Sequence, residues 1–77
     1  MDFNLLECVV LSRDLPDQGL KAGDLGAVVD LHEPDCLDVE FVTAGGRTQA
    51  VVTLRASDVR KVGPRDMVAV RPVQPAA

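Results

Sequence analysis

Apolar and polar residues alternate along much of the chain, and this alternation predicts β-strands. The clearest case is the segment in which Leu37, Val39 and Phe41 alternate with Asp38 and Glu40. Successive side chains of a strand point to opposite faces of a sheet. The segment is therefore predicted to bury its three apolar residues and to expose its two carboxylates.

Four other segments are short, apolar and bounded by turn residues, which also predicts strands. They are residues 9–11, 25–31, 49–54 and 59–62. In the second of them, a period of two predicts that one face carries all of Leu25, Ala27, Val29 and Leu31. Residues 56–58 are polar and predict a single 3-10 turn before the last strand.

Glycine and proline mark the connections between these strands. Residues 15–19 predict a loop, in which a proline fixes φ and a glycine supplies a positive φ. A glycine at the start of the second strand predicts a bulge or a close approach of another chain segment. The predicted turn and bulge residues are Pro16, Gly19, Gly23, Asp24, Gly26, Gly45 and Gly46.

The spacing of these elements favours an all-β fold, a small five-stranded SH3-like barrel with an extra C-terminal segment. An OB-fold is the alternative, but it requires a helix where residues 44–47 leave room only for a hairpin turn. Residues 1–62 are predicted to form the barrel. Residues 63–77 form an extension, in which residues 67–70 predict an edge strand that precedes a mobile, proline-rich tail.

Composition limits the size of the core. The chain has 77 residues with thirteen Val and nine Leu, lacks Ile, Trp and Tyr, and has Phe3 and Phe41 as its two aromatic residues. A chain of this length buries only ~60% of the surface that it exposes when unfolded. We therefore expect one domain with a thin core.

The absence of a long apolar run and of a basic, apolar leader predicts a cytoplasmic protein that does not enter a membrane. In that compartment Cys8 and Cys36 are predicted to be reduced thiols.

Charge is distributed unevenly along the sequence. Residues 1–40 contain ten acidic and two basic residues, a net charge of −8, whereas residues 41–77 contain two acidic and six basic residues, a net charge of +4. A closed sheet places strands from both parts of the sequence side by side. We therefore expect this asymmetry to give ordinary solvated surface rather than two separate charged faces. The candidate contacts to a partner or to phosphates are Arg47, Arg55, Arg60, Lys61, Arg65 and Arg71.

Several stretches resemble a family of small bacterial proteins, the domain of unknown function 4926. They are residues 10–16, 19–29, 39–42 and 57–60, and the resemblance covers residues 7–62. The family has no assigned activity, so the resemblance implies a fold but no reaction. Residues 23–28 are also similar, more loosely, to the glycine motif of KOW-type SH3-like modules, which implies contact with nucleic acid.

The chain offers little support for catalysis or for a cofactor. His32 and Cys36 supply two metal donors on a turn, whereas zinc needs three or four that converge. Nothing in the spacing of Ser12, Asp14 and His32 brings them together as a nucleophile and its base. The glycines at the second strand lead into a strand and not into a phosphate-binding helix. We therefore expect no enzyme, no cofactor and no metal.

These arguments favour a non-catalytic protein-interaction module, an accessory or regulatory partner of another small bacterial protein. Its partner is expected to be another protein or a second copy, bound through a barrel edge or through the segment from Met67 to Val70. One alternative is a weak KOW-like nucleic-acid-binding module, which an acidic chain with few aromatic residues disfavours. Another alternative is an accessory domain or subunit of an enzyme.

Overall fold

The computed structural model describes residues 1–75, and it contains five strands in a single antiparallel sheet. The strands are β1 (Cys8–Leu11), β2 (Leu25–His32), β3 (Cys36–Val42), β4 (Thr48–Arg55) and β5 (Val59–Lys61). Two 3-10 turns, Pro16–Gln18 and Ala56–Asp58, precede β2 and β5. The all-β fold predicted from the alternation is confirmed. Residues 76 and 77 of the predicted extension lie outside the described residues.

The strands are arranged in the order β4-β3-β2-β1-β5. Each of the four neighbouring pairs is antiparallel, so β4 and β5 form the two edges of the sheet. Within residues 1–75 these two edges do not pair with each other, and closure of the sheet into a barrel stays a prediction. In the same part of the chain, no helix is long and apolar enough to cross a membrane.

The core lies on one face of the sheet and draws residues from every strand. Its most deeply buried side chains are Val9, Leu11, Val28, Leu37 and Val39. Leu20, Phe41, Leu54 and Val59 complete it, and Phe3 packs against its margin. Strand β3 buries alternate residues, as its sequence predicts, and directs Asp38 and Glu40 away from the core.

Strand β2 departs from the predicted alternation. Its register against β3 shifts between Val28 and Asp30, so that Val29 is an extra residue in a β-bulge. Leu25 and Val29 are 43% and 39% exposed on the face away from the core, whereas Leu31, beyond the bulge, packs against the core. The prediction that Leu31 shares the face of Leu25, Ala27 and Val29 was wrong, because a bulge inserts one residue and reverses which side chains beyond it face inward.

The predicted turn residues lie in turns. Pro16 begins the first 3-10 turn, and Gly19 ends it with a positive φ of 70°. The loop predicted over residues 15–19 therefore contains one short helical turn. Asp24 accepts a hydrogen bond from the Lys21 amide at 2.8 Å, which closes the turn before β2. Gly23 and Gly46 also have positive φ angles, and Gly45 lies beside Gly46 in the β3–β4 hairpin.

Gly26 is the position where another segment approaches closely, as its place within a strand predicts. A β-carbon there would lie 2.5 Å from Cγ1 of Val39 and 2.9 Å from the ring of Phe41. The absence of a side chain lets β3 pack directly over the start of β2.

The C-terminal extension does not add a strand to its own sheet. Residues 67–70 lie beyond β5 and have no strand partner among residues 1–75. A turn over residues 63–66 and an ion pair of Arg71 direct the chain across the sheet instead of along the free edge of β5. Pairing of this segment with a second copy stays a prediction.

Candidate partner-binding surface

The face of the sheet opposite the core carries a row of apolar side chains. Val10 of β1 is paired with Leu25 of β2. Val42 of β3 lies beside Leu25, because the register pairs Ala27 with Glu40 and each strand continues by two residues. We call Val10, Leu25 and Val42 the outer row. Leu25 and Val42 are 43% and 51% exposed, so this row is incompletely covered.

Residues 67–75, which we call the strap, cross the outer row. A cleft of about 850 Å³ lies between the strap and the sheet, and Val10, Leu25, Val42, Met67 and Val70 are among its lining residues. Val10 is only 6% exposed although it does not belong to the core cluster. The outer row is thus closed at Val10 and partly open at Leu25 and Val42.

The strap begins at an anchored turn. The Asp66 carboxylate accepts a hydrogen bond from the Gly63 amide at 2.6 Å and two from the Arg60 guanidinium at 2.8 and 2.9 Å. The hydrogen bonds from Arg60, followed by that from Gly63, lower the pKa of Asp66 to about 2. A bidentate pair of this kind fixes orientation as well as charge, so it sets the direction in which the strap leaves β5.

A second anchor holds the strap over the other side of the cleft. The Arg71 guanidinium donates to both carboxylate oxygens of Asp24, with Nε 2.9 Å from Oδ1, and to the Gly19 carbonyl at 3.1 Å. Burial raises the pKa of Asp24, but the hydrogen bonds from Arg71 and from the Lys21 amide outweigh it and hold this pKa below its usual value. Asp24 therefore both closes a turn and binds the strap.

A glutamine of β4 provides a third anchor near the end of the strap. The Gln49 side-chain amide donates to the Gln74 carbonyl at 2.9 Å and to the Gln18 carbonyl at 2.9 Å. It thus connects β4, the first 3-10 turn and the strap. The strap is held by contacts with three separate parts of the fold.

Between these anchors the strap exposes its apolar side chains. Met67, Val68 and Val70 are 92%, 76% and 97% exposed. Among residues 1–75, the backbone of residues 67–70 makes no hydrogen bond with another backbone group. The segment is apolar and is fixed at both ends, and its backbone groups are free to pair within the described part of the chain.

The basic residues predicted as partner or phosphate contacts do not gather on one surface. Three of them are engaged by carboxylates, in the pairs Arg60–Asp66, Lys61–Glu7 and Arg71–Asp24.

The remaining three candidates are spread over the fold. Arg47 precedes β4 and Arg55 is its last residue, so the length of the strand separates them. Arg65 is exposed in the turn before the strap. The described structure therefore brings Arg71 to the cleft as an anchor and offers no continuous basic patch in residues 1–75.

The sequence predicted Asp24 as a turn residue and Arg71 as a candidate contact to a partner, but it did not predict that the two bind each other. It also passed over Gln49 and the outer row. One signal was available: Arg71 is the single charged residue of an otherwise apolar and proline-rich segment. A lone charge in such a segment indicates a fixed partner on the fold.

Comparisons with known proteins give one match. A family model described as "Domain of unknown function (DUF4926)" matches residues 5–61. The match ends at the last residue of β5, so the strap lies beyond it. No curated protein and no solved structure matches the chain.

Proposed function

We propose a function from the premise that the chain belongs to the DUF4926 family, whose description assigns no activity. The proposed function is a non-catalytic protein-interaction module that binds its partner through the strap and the cleft beneath it. The observation that carries the proposal is the exposure of Met67, Val68 and Val70 between two anchored ends.

Exposed apolar side chains that adjoin one another indicate a contact surface more strongly than scattered ones do. Met67 and Val68 are adjacent and Val70 follows closely, and the partly open outer row faces them across the cleft. Ion pairs at Asp66 and Arg71 already restrict the backbone on either side. Binding therefore loses less conformational freedom than it would for a free tail.

The free backbone groups of residues 67–70 favour recognition by strand pairing. An extended segment of a partner can pair with this stretch and place alternate side chains in the cleft, which combines backbone hydrogen bonds with apolar contact. The partner expected from this chemistry is a protein with an exposed apolar strand. A second copy of this chain meets the same description. An enzyme as the partner would make the chain an accessory subunit.

The alternative of a nucleic-acid-binding module receives less support. Phosphate binding depends on free cationic side chains, and Arg60, Lys61 and Arg71 are each paired with a carboxylate. Nucleic acid would have to displace those carboxylates or bind at separated arginines. Weak binding that disappears with salt and does not depend on sequence remains the expectation for this alternative.

The proposal is tested by capture experiments with the full chain as bait and Val70→Asp as the variant. Val70 is 97% exposed, so the substitution adds a charge without disturbing the core. We expect the proteins bound by the unmodified chain to be lost from Val70→Asp. Light scattering of the same two proteins determines whether the partner is a second copy.

Val51→Lys is the control, because Val51 is an exposed valine of β4 that does not line the cleft, and a lysine there lies opposite Glu40. It should retain the partner. Retention by Val70→Asp, or equal loss from both variants, would show that the strap does not provide the binding surface.

A further inference from the structure

The bulge in β2 brings three potential metal ligands together on the outer face of the β2–β3 hairpin. Asp30 of β2 and Asp38 of β3 are directly paired across the two strands. His32 lies two residues beyond Asp30, and side chains two apart in a strand share a face. Without the extra residue Val29, Asp30 and His32 would point toward the core.

The ligand atoms of the three side chains converge. Nε2 of His32 lies 3.0 Å from Oδ2 of Asp38 and 3.9 Å from Oδ2 of Asp30. One ligand atom from each of the three residues lies within 4.8 Å of the other two. Two atoms that each lie about 2.1 Å from one ion are at most about 4.2 Å apart. The His32 contacts satisfy this limit, and small side-chain rotations bring all three atoms onto one ion.

Each carboxylate is oriented by a donor outside the cluster. Oδ1 of Asp38 accepts a hydrogen bond from the Thr53 hydroxyl at 2.6 Å, and Oδ1 of Asp30 accepts one from the Leu31 amide at 2.9 Å. Both second oxygens, the Oδ2 atoms, are left facing His32. Hydrogen bonds to the distal oxygen of a ligating carboxylate are the usual outer support of a metal site.

The charges of the cluster also favour a cation. Asp30 and Asp38 are directly opposite each other, and like charges at such positions destabilise a strand pair. His32 is hydrogen-bonded to Asp38 and is too far from Asp30 Oδ2 for a hydrogen bond.

The donor set differs from the one that the sequence suggested. Cys36 is paired with His32 across the strands, but its Sγ atom contacts Oδ1 of Asp35 at 3.7 Å. Cys36 is not among the residues whose ligand atoms converge with those of His32. The ligand beside His32 is therefore the carboxylate of Asp38, whereas spacing in the sequence had indicated the thiol of Cys36.

We propose that Asp30, His32 and Asp38 form a binding site for a divalent transition-metal ion, zinc in the first instance. One imidazole and two carboxylates suit Zn²⁺ better than Mg²⁺, and water completes the coordination at this exposed position. The ion would neutralise the opposed carboxylates and join β2 to β3 next to the bulge. The role is structural and does not depend on the strap.

The test is calorimetric titration of the untagged full chain with ZnCl₂, followed by melting with and without the ion. We expect one Zn²⁺ per chain and a higher melting temperature when it is bound. His32→Gln should remove both effects. Thr53→Val, which removes only the outer support, should weaken binding by about 10- to 100-fold.

Two controls separate the proposed site from other sources of binding. Asp17→Asn removes an exposed carboxylate outside the cluster, and Cys36→Ser removes the neighbouring thiol; both should bind Zn²⁺ as the unmodified chain does. The proposal is overturned if Zn²⁺ does not bind, if His32→Gln binds it unchanged, or if Cys36→Ser abolishes binding. Equal affinity for MgCl₂ would reduce the site to nonspecific attraction by acidic groups.

Discussion

Single residues determine how closely the strands of this protein pack. Gly26 allows β3 to lie against the start of β2, where any side chain would meet Val39 and Phe41. Val39 and Phe41 belong to the core, so they have little room to move. Gly45 has the opposite environment, since a β-carbon there would meet only the Thr43 hydroxyl, at 3.9 Å.

Gly26→Ala is therefore expected to destabilise the fold by about 1–3 kcal/mol, the usual range for overpacking a core. The free energy of unfolding is measured by urea denaturation with circular dichroism. Gly45→Ala is the matched control and should change it by less than about 0.5 kcal/mol. Equal free energies of unfolding for the two variants would show that β2 and β3 move apart to accommodate the added methyl group without loss of stability.

At the scale of elements, the turn between β5 and the strap depends on one carboxylate. The pKa of Asp66 is about 2 in the folded protein, below its ordinary value of 3.8. A carboxyl whose pKa is lowered by folding adds stability above its unfolded pKa. That stability is lost as the pH falls through the folded pKa, because the proton then removes the charge that Arg60 binds.

Asp66→Asn should accordingly melt at a lower temperature than the unmodified chain at pH 7. The difference should shrink as the pH falls from about 4 to about 2. Arg60→Gln should reproduce this behaviour, and Arg65→Gln, a change in the same turn that leaves the Arg60–Asp66 pair intact, should not. A difference between Asp66→Asn and the unmodified chain that is constant from pH 7 to pH 2 would exclude the pair as its source.

The sequence predicts individual elements well and their exceptions poorly. The five strands follow from alternation and turn residues, since each signal is local and lies within a few positions. The bulge at Val29 has no local signal, because its apolar neighbours fit either face of β2. The strap anchors were missed for a related reason: Arg71 and Asp24 are far apart in sequence and meet only when the sheet has formed.

At the scale of the whole molecule, the fold brings the acidic and the basic parts of the sequence into contact. Glu7 binds Lys61, Arg13 binds Asp58, and Asp24 binds Arg71, so each pair joins the acidic part of the sequence to the basic part. The prediction that the asymmetry need not produce two charged faces follows from strand order, because β1 lies between β2 and β5. The surface therefore carries mixed charge around an apolar cleft.

A chain that ends after Val62 should still fold, because every strand of the sheet is retained. It should melt at a lower temperature, since the hydrogen bonds of Arg71 to Asp24 and of Gln49 to Gln74 are lost. An unchanged denaturation midpoint, together with an unchanged mass in light scattering, would show that the strap contributes neither stability nor association.

The bulge at Val29 makes the length of β2 more important than the identity of its extra residue. Val29 is 39% exposed, so most polar replacements should be tolerated there. Deletion of this one residue restores strict alternation and exchanges the two faces of the strand beyond it: Leu31 turns to solvent, and Asp30 and His32 turn to the core. We expect Val29→Thr to melt close to the unmodified chain and the deletion to lose cooperative melting. Most proteins accommodate insertions and deletions in loops. In this protein a change of length is poorly tolerated at Val29, although this residue is exposed, because it lies in the middle of a strand.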